Sequence, residues 1–223
     1  MSSERDAVLG RVRAALGKRE RDAKAIADAQ AIVAAHTQGP RPRLPADLVL
    51  RFLQRATDME STVERIGNHL EIPAAVARYL DALVLPEPLA QQKSRRGVCW
   101  PEFCDLDWAG AGLAIEARPT TGDDRLGITG AFCAIAETGT LVILSGADTP
   151  TATTLLPDTH IAVLRAERVV AGMEEAFALI RREPGRLPRA MNMISGPSRT
   201  GDIEQTIVLG AHGPYRVHIL VLA

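Results

Sequence analysis

The sequence predicts an α/β domain with a largely parallel sheet covered on both faces. Three short apolar runs have the length and composition of buried strands, and they lie at residues 160–164, 191–194 and 217–222. Between the first two, apolar residues recur at intervals of four, four and three, the spacing of one face of an amphipathic helix; they are Val169, Met173, Phe177 and Ile180. Strands that alternate with such helices are typical of parallel sheets with helices on both sides.

The first 43 residues predict a helical arm and a linker. Residues 3–17 have the pattern of an amphipathic helix, and residues 19–36 predict a second, alanine-rich helix with a thin apolar face. Three prolines between residues 40 and 45 predict an extended linker, because proline lacks a backbone donor and disfavours helix before it. We therefore expect an arm and linker at residues 1–43 and the α/β domain at residues 44–223.

The α/β domain should begin with a helix, because apolar residues at 48, 49, 52 and 53 follow the linker. Further along the chain, the sequence predicts a strand or helical continuation at 59–66, a helix from Pro73 and a buried strand at 82–85. It also predicts a strand at 113–117 and a turn or short helix at 151–157. Residues 86–112 show no clear period, so no element is predicted there.

Composition excludes several classes of protein. A net charge of −1 argues against bulk binding of nucleic acid or an anionic membrane. No apolar run approaches the roughly 20 residues that span a bilayer. The charged N-terminus lacks the apolar core of a signal peptide, so a cytoplasmic location is predicted.

The cysteines and histidines predict no metal or cluster held by this chain. The three cysteines, Cys99, Cys104 and Cys133, match neither a CxxC pair nor a ferredoxin-type run. No pair of histidines has HExxH or similar spacing. We therefore expect no bound cofactor and no metal site.

A polar turn at residues 137–140 interrupts two apolar runs, Phe132–Ala136 and Leu141–Leu144. An acid, two hydroxyls and a glycine between buried runs must be paired or exposed in a cleft. We interpret the turn as lying at the rim of a sheet with its side chains facing a pocket. The alternative is an ordinary hairpin turn with a solvated Glu137.

A second polar segment, Ser195–Glu204, follows a predicted strand and is expected to open a helix. The hydroxyls of Ser198 and Thr200, with free amides at a helix start, would bind an anion. Arg199 could add a bidentate contact to a carboxylate or phosphate. The alternative is a capped helix with a surface arginine.

Histidine between small residues in Gly210–Pro214 is the third candidate. His212 could carry protons or donate a hydrogen bond, or could be a solvated turn residue. Ligands of parallel sheets bind beyond the carboxyl ends of the strands. That rule predicts the site at the loops after Ile194 and around Glu137.

Four ordered segments, IAETGT (135–140), LLPDTHI (155–161), SGPSRTGDIE (195–204) and GAHGP (210–214), together resemble the LUD-domain family. The resemblance is closest to its single-domain branch, the lactate-utilisation protein C family, and runs from about Leu83 to the C-terminus. It implies a three-layer α/β/α sandwich similar to the sugar-isomerase and CoA-transferase superfamily. It also implies a role in a three-protein cytoplasmic system that oxidises L-lactate to pyruvate, in which sister proteins carry the iron–sulfur clusters.

The family's motif positions correspond here to Thr129, Glu137, Thr138, Gly139, Ser198, Thr200, Asp202, Glu204, His212 and Gly213. Three positions differ from the residue types expected of the family: Phe132, Cys133 and Gly201. The fine structure of the pocket is therefore expected to differ from that of the family.

Three functions follow as hypotheses. The favoured one is an accessory subunit that binds a small carboxylate or phosphate and docks iron–sulfur partners. Its ligand-binding residues would be Thr129, Thr138, Gly139, Thr140, Ser198, Arg199, Thr200, Asp202, Glu204 and Gly213. The second is an enzyme resembling an acyl or CoA transferase or an isomerase, with Glu137 as nucleophile or base and His212 as proton relay. The third is a structural scaffold.

Overall fold

The computed structural model describes residues 2–17, 22–37, 39–85, 94–183, 185, 187–203 and 206–223. The chain separates into two compact units, Met1–Pro42 and Arg43–Ala223. The first unit contains two helices, α1 (Ser2–Ala15) and α2 (Ala23–Ala35). The Asp22 carboxylate caps α2 by accepting hydrogen bonds from the backbone N–H groups of Lys24 and Ala25. Apolar side chains of α2, including Ile32 and Val33, are exposed.

The described residues of the second unit form three α-helices, four short 3-10 helices and twelve strands. The helices are α3 (Leu48–Asp58), α4 (Ile72–Ala82) and α5 (Met173–Arg182). The strands are β1 (Thr62–Ile66), β2 (Arg96–Cys99), β3 (Ala114–Ala117), β4 (Leu126–Gly130), β5 (Cys133–Ile135), β6 (Thr140–Leu144), β7 (Thr159–Arg165), β8 (Val169–Val170), β9 (Met191–Ile194), β10 (Arg199–Ile203), β11 (Thr206–Leu209) and β12 (Arg216–Leu222).

Six of these strands form one parallel sheet in the order β1-β12-β7-β4-β2-β3. The central strand β7 pairs on both sides, with Thr159 opposite Arg216 of β12 and Leu126 of β4. Residues 160–164 of β7 are completely or almost completely buried, as an apolar run between two covered faces requires. The predicted α/β class and parallel sheet are confirmed.

Different elements pack on the two faces of this sheet. Helix α4 and the segment around Trp100, Phe103 and Trp108 pack on one face. Helix α3 packs on the other face, where Phe52 and Ala56 are fully buried, together with a second sheet of four strands ordered β8-β5-β6-β9. Helix α5 covers the outer side of that second sheet. Neither the second sheet nor the separate β10-β11 ribbon is predicted by the sequence patterns.

Three local predictions are wrong. Residues 83–85 form no strand, since α4 continues to Ala82 and Val84 beyond it is 90% exposed. The segment after Ser198 opens no helix, because its backbone pairs with β11, Thr200 opposite Val208. Val169 belongs to β8, and α5 begins only at Met173.

Glutamates in the first turn of α5 and arginines in its last turn suit the two ends of the helix dipole. The Glu175 carboxylate also accepts a hydrogen bond from the Gly172 N–H at 2.8 Å. Within the described ranges, no helix is long and apolar enough to cross a bilayer.

Candidate functional site

The polar turn at residues 137–140 joins β5 to β6 as an antiparallel hairpin. Gly139 has a φ of +72°, a conformation that favours glycine. A Cβ on this residue would lie 2.6 Å from the Ala56 nitrogen, so the turn packs directly on the last turn of α3. The segment is therefore a hairpin turn, and the end of α3 becomes the reference point for the site.

A line of hydroxyls links this turn to the second polar segment. The Oγ1 atoms of Thr138 and Thr140 are 2.6 Å apart, and Thr140 Oγ1 lies 2.7 Å from Ser195 Oγ. Thr140 is buried, whereas Thr138 and Ser195 are exposed at the two ends of the line. Both polar segments thus meet at one place in the fold.

Gly196 and Arg199 bring the second segment onto the same end of α3. Gly196 has a φ of +81°, and a Cβ there would lie 1.9 Å from the carbonyl oxygen of Met59. The Arg199 guanidinium donates to that carbonyl at 2.9 Å and lies 3.3 Å from the Glu60 carboxylate. Arg199 therefore binds the residues that follow α3, while remaining partly open to solvent.

The glycine–histidine segment joins the same group of residues. The Ser198 N–H donates to the Pro214 carbonyl at 2.9 Å, and the His212 N–H donates to Ser198 Oγ at 3.3 Å. A Cβ on Gly213 would lie 3.2 Å from Ser198 Cβ. We call Thr138, Thr140, Ser195, Ser198, Arg199 and His212 the motif cluster.

Other predicted site residues lie elsewhere. Thr129 is completely buried in β4, where its hydroxyl is 2.8 Å from His160 Nε2. Burial lowers the pKa of His160 to about 4. The backbone N–H of Glu137 donates to the carbonyl of Ala171 at 3.1 Å. Thr200 lies in β10, while Glu204 and the side chain of Asp202 fall outside the described part of the chain.

The described contacts give Glu137 and His212 different neighbours. The Glu137 amide bonds Ala171, whereas the His212 amide bonds Ser198. These are main-chain contacts, so the enzyme hypothesis, which requires both side chains at one ligand position, stays a prediction.

The motif cluster lies at the amino ends of the parallel strands, which contradicts the expected location at their carboxyl ends. The end of α3 precedes the start of β1 by only three residues, and Pro214 precedes the start of β12. The cluster lies at the amino ends because β5 starts after the carboxyl end of β4 and runs back across the sheet to the Glu137 turn.

A cavity of about 360 Å³ opens beside the motif cluster. It is lined by Glu60, Thr62, Tyr79, Pro197, Tyr215 and Arg216, among others. Burial raises the pKa of Tyr79, an effect that the charge of Arg216 opposes. We call it the amino-edge cavity; Glu60 and Pro197 connect it to Arg199 and Ser198.

A second cavity, of about 290 Å³, lies at the carboxyl ends of the strands, where sequence reasoning identified no residues. Leu222 of β12, Arg165 of β7 and Gly130 of β4 line this carboxyl-edge cavity, together with Glu102. Desolvation raises the pKa of Glu102, while the charge of Arg165 and the backbone N–H of Gly130 lower it. Glu102 was missed because it lies in the stretch without a clear period; its position directly after a buried strand was the available signal.

The second unit is an α/β domain with a six-stranded parallel sheet and with polar loops gathered at one edge of that sheet. A sequence model of the LUD domain matches residues 105–222, more than half of the 223 residues. The chain therefore belongs to the LUD-domain family.

Relatives with curated names support this membership. The chain is 28% identical over 190 residues to "Lactate utilization protein C" of Deinococcus radiodurans, covering 82% of this chain and 83% of that protein. It is 38% identical over 128 residues to the protein of that name in Bacillus subtilis, covering 52% of this chain and 53% of the relative. The chain is 34% identical over 101 residues to the Bacillus licheniformis protein of that name, and the match spans 42% of that protein. For several relatives, the matched region is therefore about half of their length or less.

A solved structure shares the fold. The crystal structure of a DUF162 family protein from Deinococcus radiodurans superposes with a TM-score of 0.57 at 23% identity. The match covers 82% of this chain and all of the other.

Proposed function

We propose that this protein is a lactate-utilisation component, an accessory subunit that binds a small carboxylate at the motif cluster. It acts in the cytoplasm beside partner proteins that carry the iron–sulfur clusters and oxidise L-lactate to pyruvate. The names of the relatives from Deinococcus radiodurans and Bacillus subtilis support the lactate role.

The convergence of the motifs is the observation that carries the binding role. Thr140 Oγ1 lies 2.7 Å from Ser195 Oγ, and Ser198 accepts a hydrogen bond from His212. The polar turn is far along the chain from the other two segments, yet its hydroxyls meet the second segment, which carries Arg199, beside an open cavity. Hydroxyls and guanidinium groups are the donors that carboxylates accept from.

Arg199 is the residue that we expect to bind the carboxylate. Its ion pair with Glu60 is 3.3 Å long, and the Glu60 side chain is 59% exposed. Exposed ion pairs of this kind contribute little to stability, about 0–1 kcal/mol. An incoming carboxylate can therefore replace Glu60 while Arg199 keeps its hydrogen bond to Met59.

Calorimetric titration with L-lactate and with pyruvate tests the proposal. Arg199→Ala should weaken binding by about 1.5–3 kcal/mol, the scale of a charged hydrogen bond. Glu60→Gln should strengthen it, because the ligand would no longer compete with a fixed carboxylate. Arg182→Ala is the matched control, since Arg182 is an exposed arginine on α5 beside Glu183.

Absence of binding to the unmodified protein, or unchanged binding in Arg199→Ala, would remove the carboxylate role. The partner role has a separate test. An affinity-tagged chain should co-purify with proteins that contain iron and acid-labile sulfide, and recovery of the chain alone would contradict that part.

A further inference from the structure

The carboxyl-edge cavity has charged groups that the motif cluster does not use. Glu102 and Arg165 both line it, and the charge of Arg165 lowers the pKa of Glu102. No ion pair joins them, or joins Arg165 to any other residue in the described ranges, at the 4.0 Å limit that defines such pairs. The two charges therefore line one cavity without forming an ion pair with each other.

The Glu102 carboxylate is held in place by the backbone of β4. A Cβ on Gly130 would lie 2.2 Å from Glu102 Oε1, so the carboxylate occupies the space that any other residue's side chain would fill. The backbone of Gly130 also favours the charged form of this carboxylate, because it lowers the Glu102 pKa. Glu102 is thus fixed on one wall and still open to the cavity.

Three other polar side chains of the cavity already have partners. Ser145 Oγ accepts a hydrogen bond from the Ala190 N–H, and Thr149 Oγ1 donates to the Leu144 carbonyl, both at 2.8 Å. The Trp100 indole N–H donates to the carbonyl of Pro150 at 3.3 Å. The Arg165 guanidinium has no such bond within the described part of the chain, and this exposed side chain lines the cavity.

The remaining wall is apolar. Trp100, Phe103 and Phe132 contribute aromatic rings, and Val163 and Leu222 add aliphatic surface. His69 stacks on Phe103 with ring centroids 5.7 Å apart. A cavity of about 290 Å³ with apolar walls and a few fixed polar groups lies at the small end of the range for ligand sites, roughly 300–1,000 Å³.

We propose that the carboxyl-edge cavity is a second ligand site, which binds a monocarboxylate with an apolar body. The carboxylate pairs with Arg165, the apolar body packs on the aromatic wall, and Glu102 faces the ligand from the opposite side. The location agrees with the general rule for parallel sheets, whose ligands lie beyond the carboxyl ends of the strands. The site is independent of the motif cluster at the other edge.

Calorimetric titration with phenylacetate tests the proposal, with phenylacetamide as the neutral compound of matching shape. Phenylacetate should bind, and phenylacetamide should bind at least tenfold more weakly. Arg165→Gln should weaken phenylacetate binding by about 10- to 100-fold, since it removes the charged partner. Arg182→Gln, on the exposed face of α5, serves as the control and should leave the affinity unchanged.

Glu102→Gln provides a second test, because it should change the affinity for phenylacetate in the opposite direction. It removes a negative charge on the cavity wall that repels the ligand carboxylate, so phenylacetate should bind more tightly, by roughly tenfold or more at an effective dielectric constant near 20. Equal affinity for phenylacetate and phenylacetamide, or no binding of either, would overturn the proposal. Weaker binding in Glu102→Gln would also contradict it, and none of these outcomes depends on lactate binding at Arg199.

Discussion

The hydroxyl of Thr140 lies 2.7 Å from the hydroxyl of Ser195, a residue 55 positions further along the chain. Thr140 begins β6 and Ser195 directly follows β9, the strand that pairs with β6. The bond therefore closes the end of the β6–β9 pair and holds the two polar segments together. Thr138 extends the line of hydroxyls toward solvent.

Thr140→Val and Ser195→Ala should each destabilise the protein, and the double variant should lose less than the sum. Each single change removes one hydroxyl of the same bond, so the coupling energy should be about 0.5–1.5 kcal/mol. Urea unfolding of the four proteins measures it. A coupling energy indistinguishable from zero would mean that this bond does not hold the segments together.

Gly139→Ala should destabilise the protein by about 2–4 kcal/mol, because it adds backbone strain to a steric clash with α3. Gly185 is the matched control, with a φ of +69° and no described atom within 4 Å of an added Cβ. Gly185→Ala should retain only the strain, about 1 kcal/mol. Thermal or urea unfolding compares the two, and equal losses would show that the turn does not pack tightly on α3.

The positions of the strongest elements could be predicted from the sequence, because their signals are local. The apolar runs at 160–164 and 217–222 are buried strands of the parallel sheet, and α5 has the helical spacing of Met173, Phe177 and Ile180. The meeting of the two polar segments at one edge also agrees with the prediction that their side chains share a site.

What could not be predicted depends on pairing between distant segments. Nothing within residues 199–203 distinguishes the start of a helix from a strand, because the partner strand that satisfies its backbone begins at Thr206. The predicted location of the site at the carboxyl ends of the strands was wrong for a similar reason. Only the fold shows that the chain turns back before the hairpin at Glu137. Glu102 was missed because no motif marks it; its carboxylate lies where a Cβ on Gly130 would be, and only the fold brings these two residues together.

Phe52→Ala should destabilise the second unit by about 3–5 kcal/mol, the usual cost of emptying a buried aromatic site. Phe52 is completely buried where α3 packs on the parallel sheet. Leu50→Ala in the same helix is the control, because Leu50 is 51% exposed and should change the free energy of unfolding by less than about 0.5 kcal/mol. Urea unfolding gives both values; a small loss for Phe52→Ala would contradict the packing of α3.

Two buried histidines should make the protein sensitive to acid. Burial lowers the pKa of His160, and of His218, from 6.5 to about 4; for His218 the charge of Glu64 and a backbone bond at Thr62 oppose this shift. As the pH falls below 6.5, the unfolded chain takes up protons that the folded protein does not bind, so the free energy of unfolding decreases. The loss continues to about pH 4 and amounts to about 3 kcal/mol per histidine.

Substitutions that keep the hydrogen bonds but cannot be protonated isolate this effect. His160→Gln can keep a contact to the Thr129 hydroxyl, and His218→Asn can keep one to the Thr62 hydroxyl, since these side chains place an amide group near the bonded ring nitrogens. Each variant should therefore lose less stability than the unmodified protein between pH 6.5 and 4, measured by urea unfolding at fixed pH values. Because the two histidines lie on opposite faces of the parallel sheet, in neighbouring strands, the two effects should add. If the free energy of unfolding of both variants falls between pH 6.5 and 4 as much as that of the unmodified protein, then protonation of other groups, and not of these imidazoles, destabilises the fold.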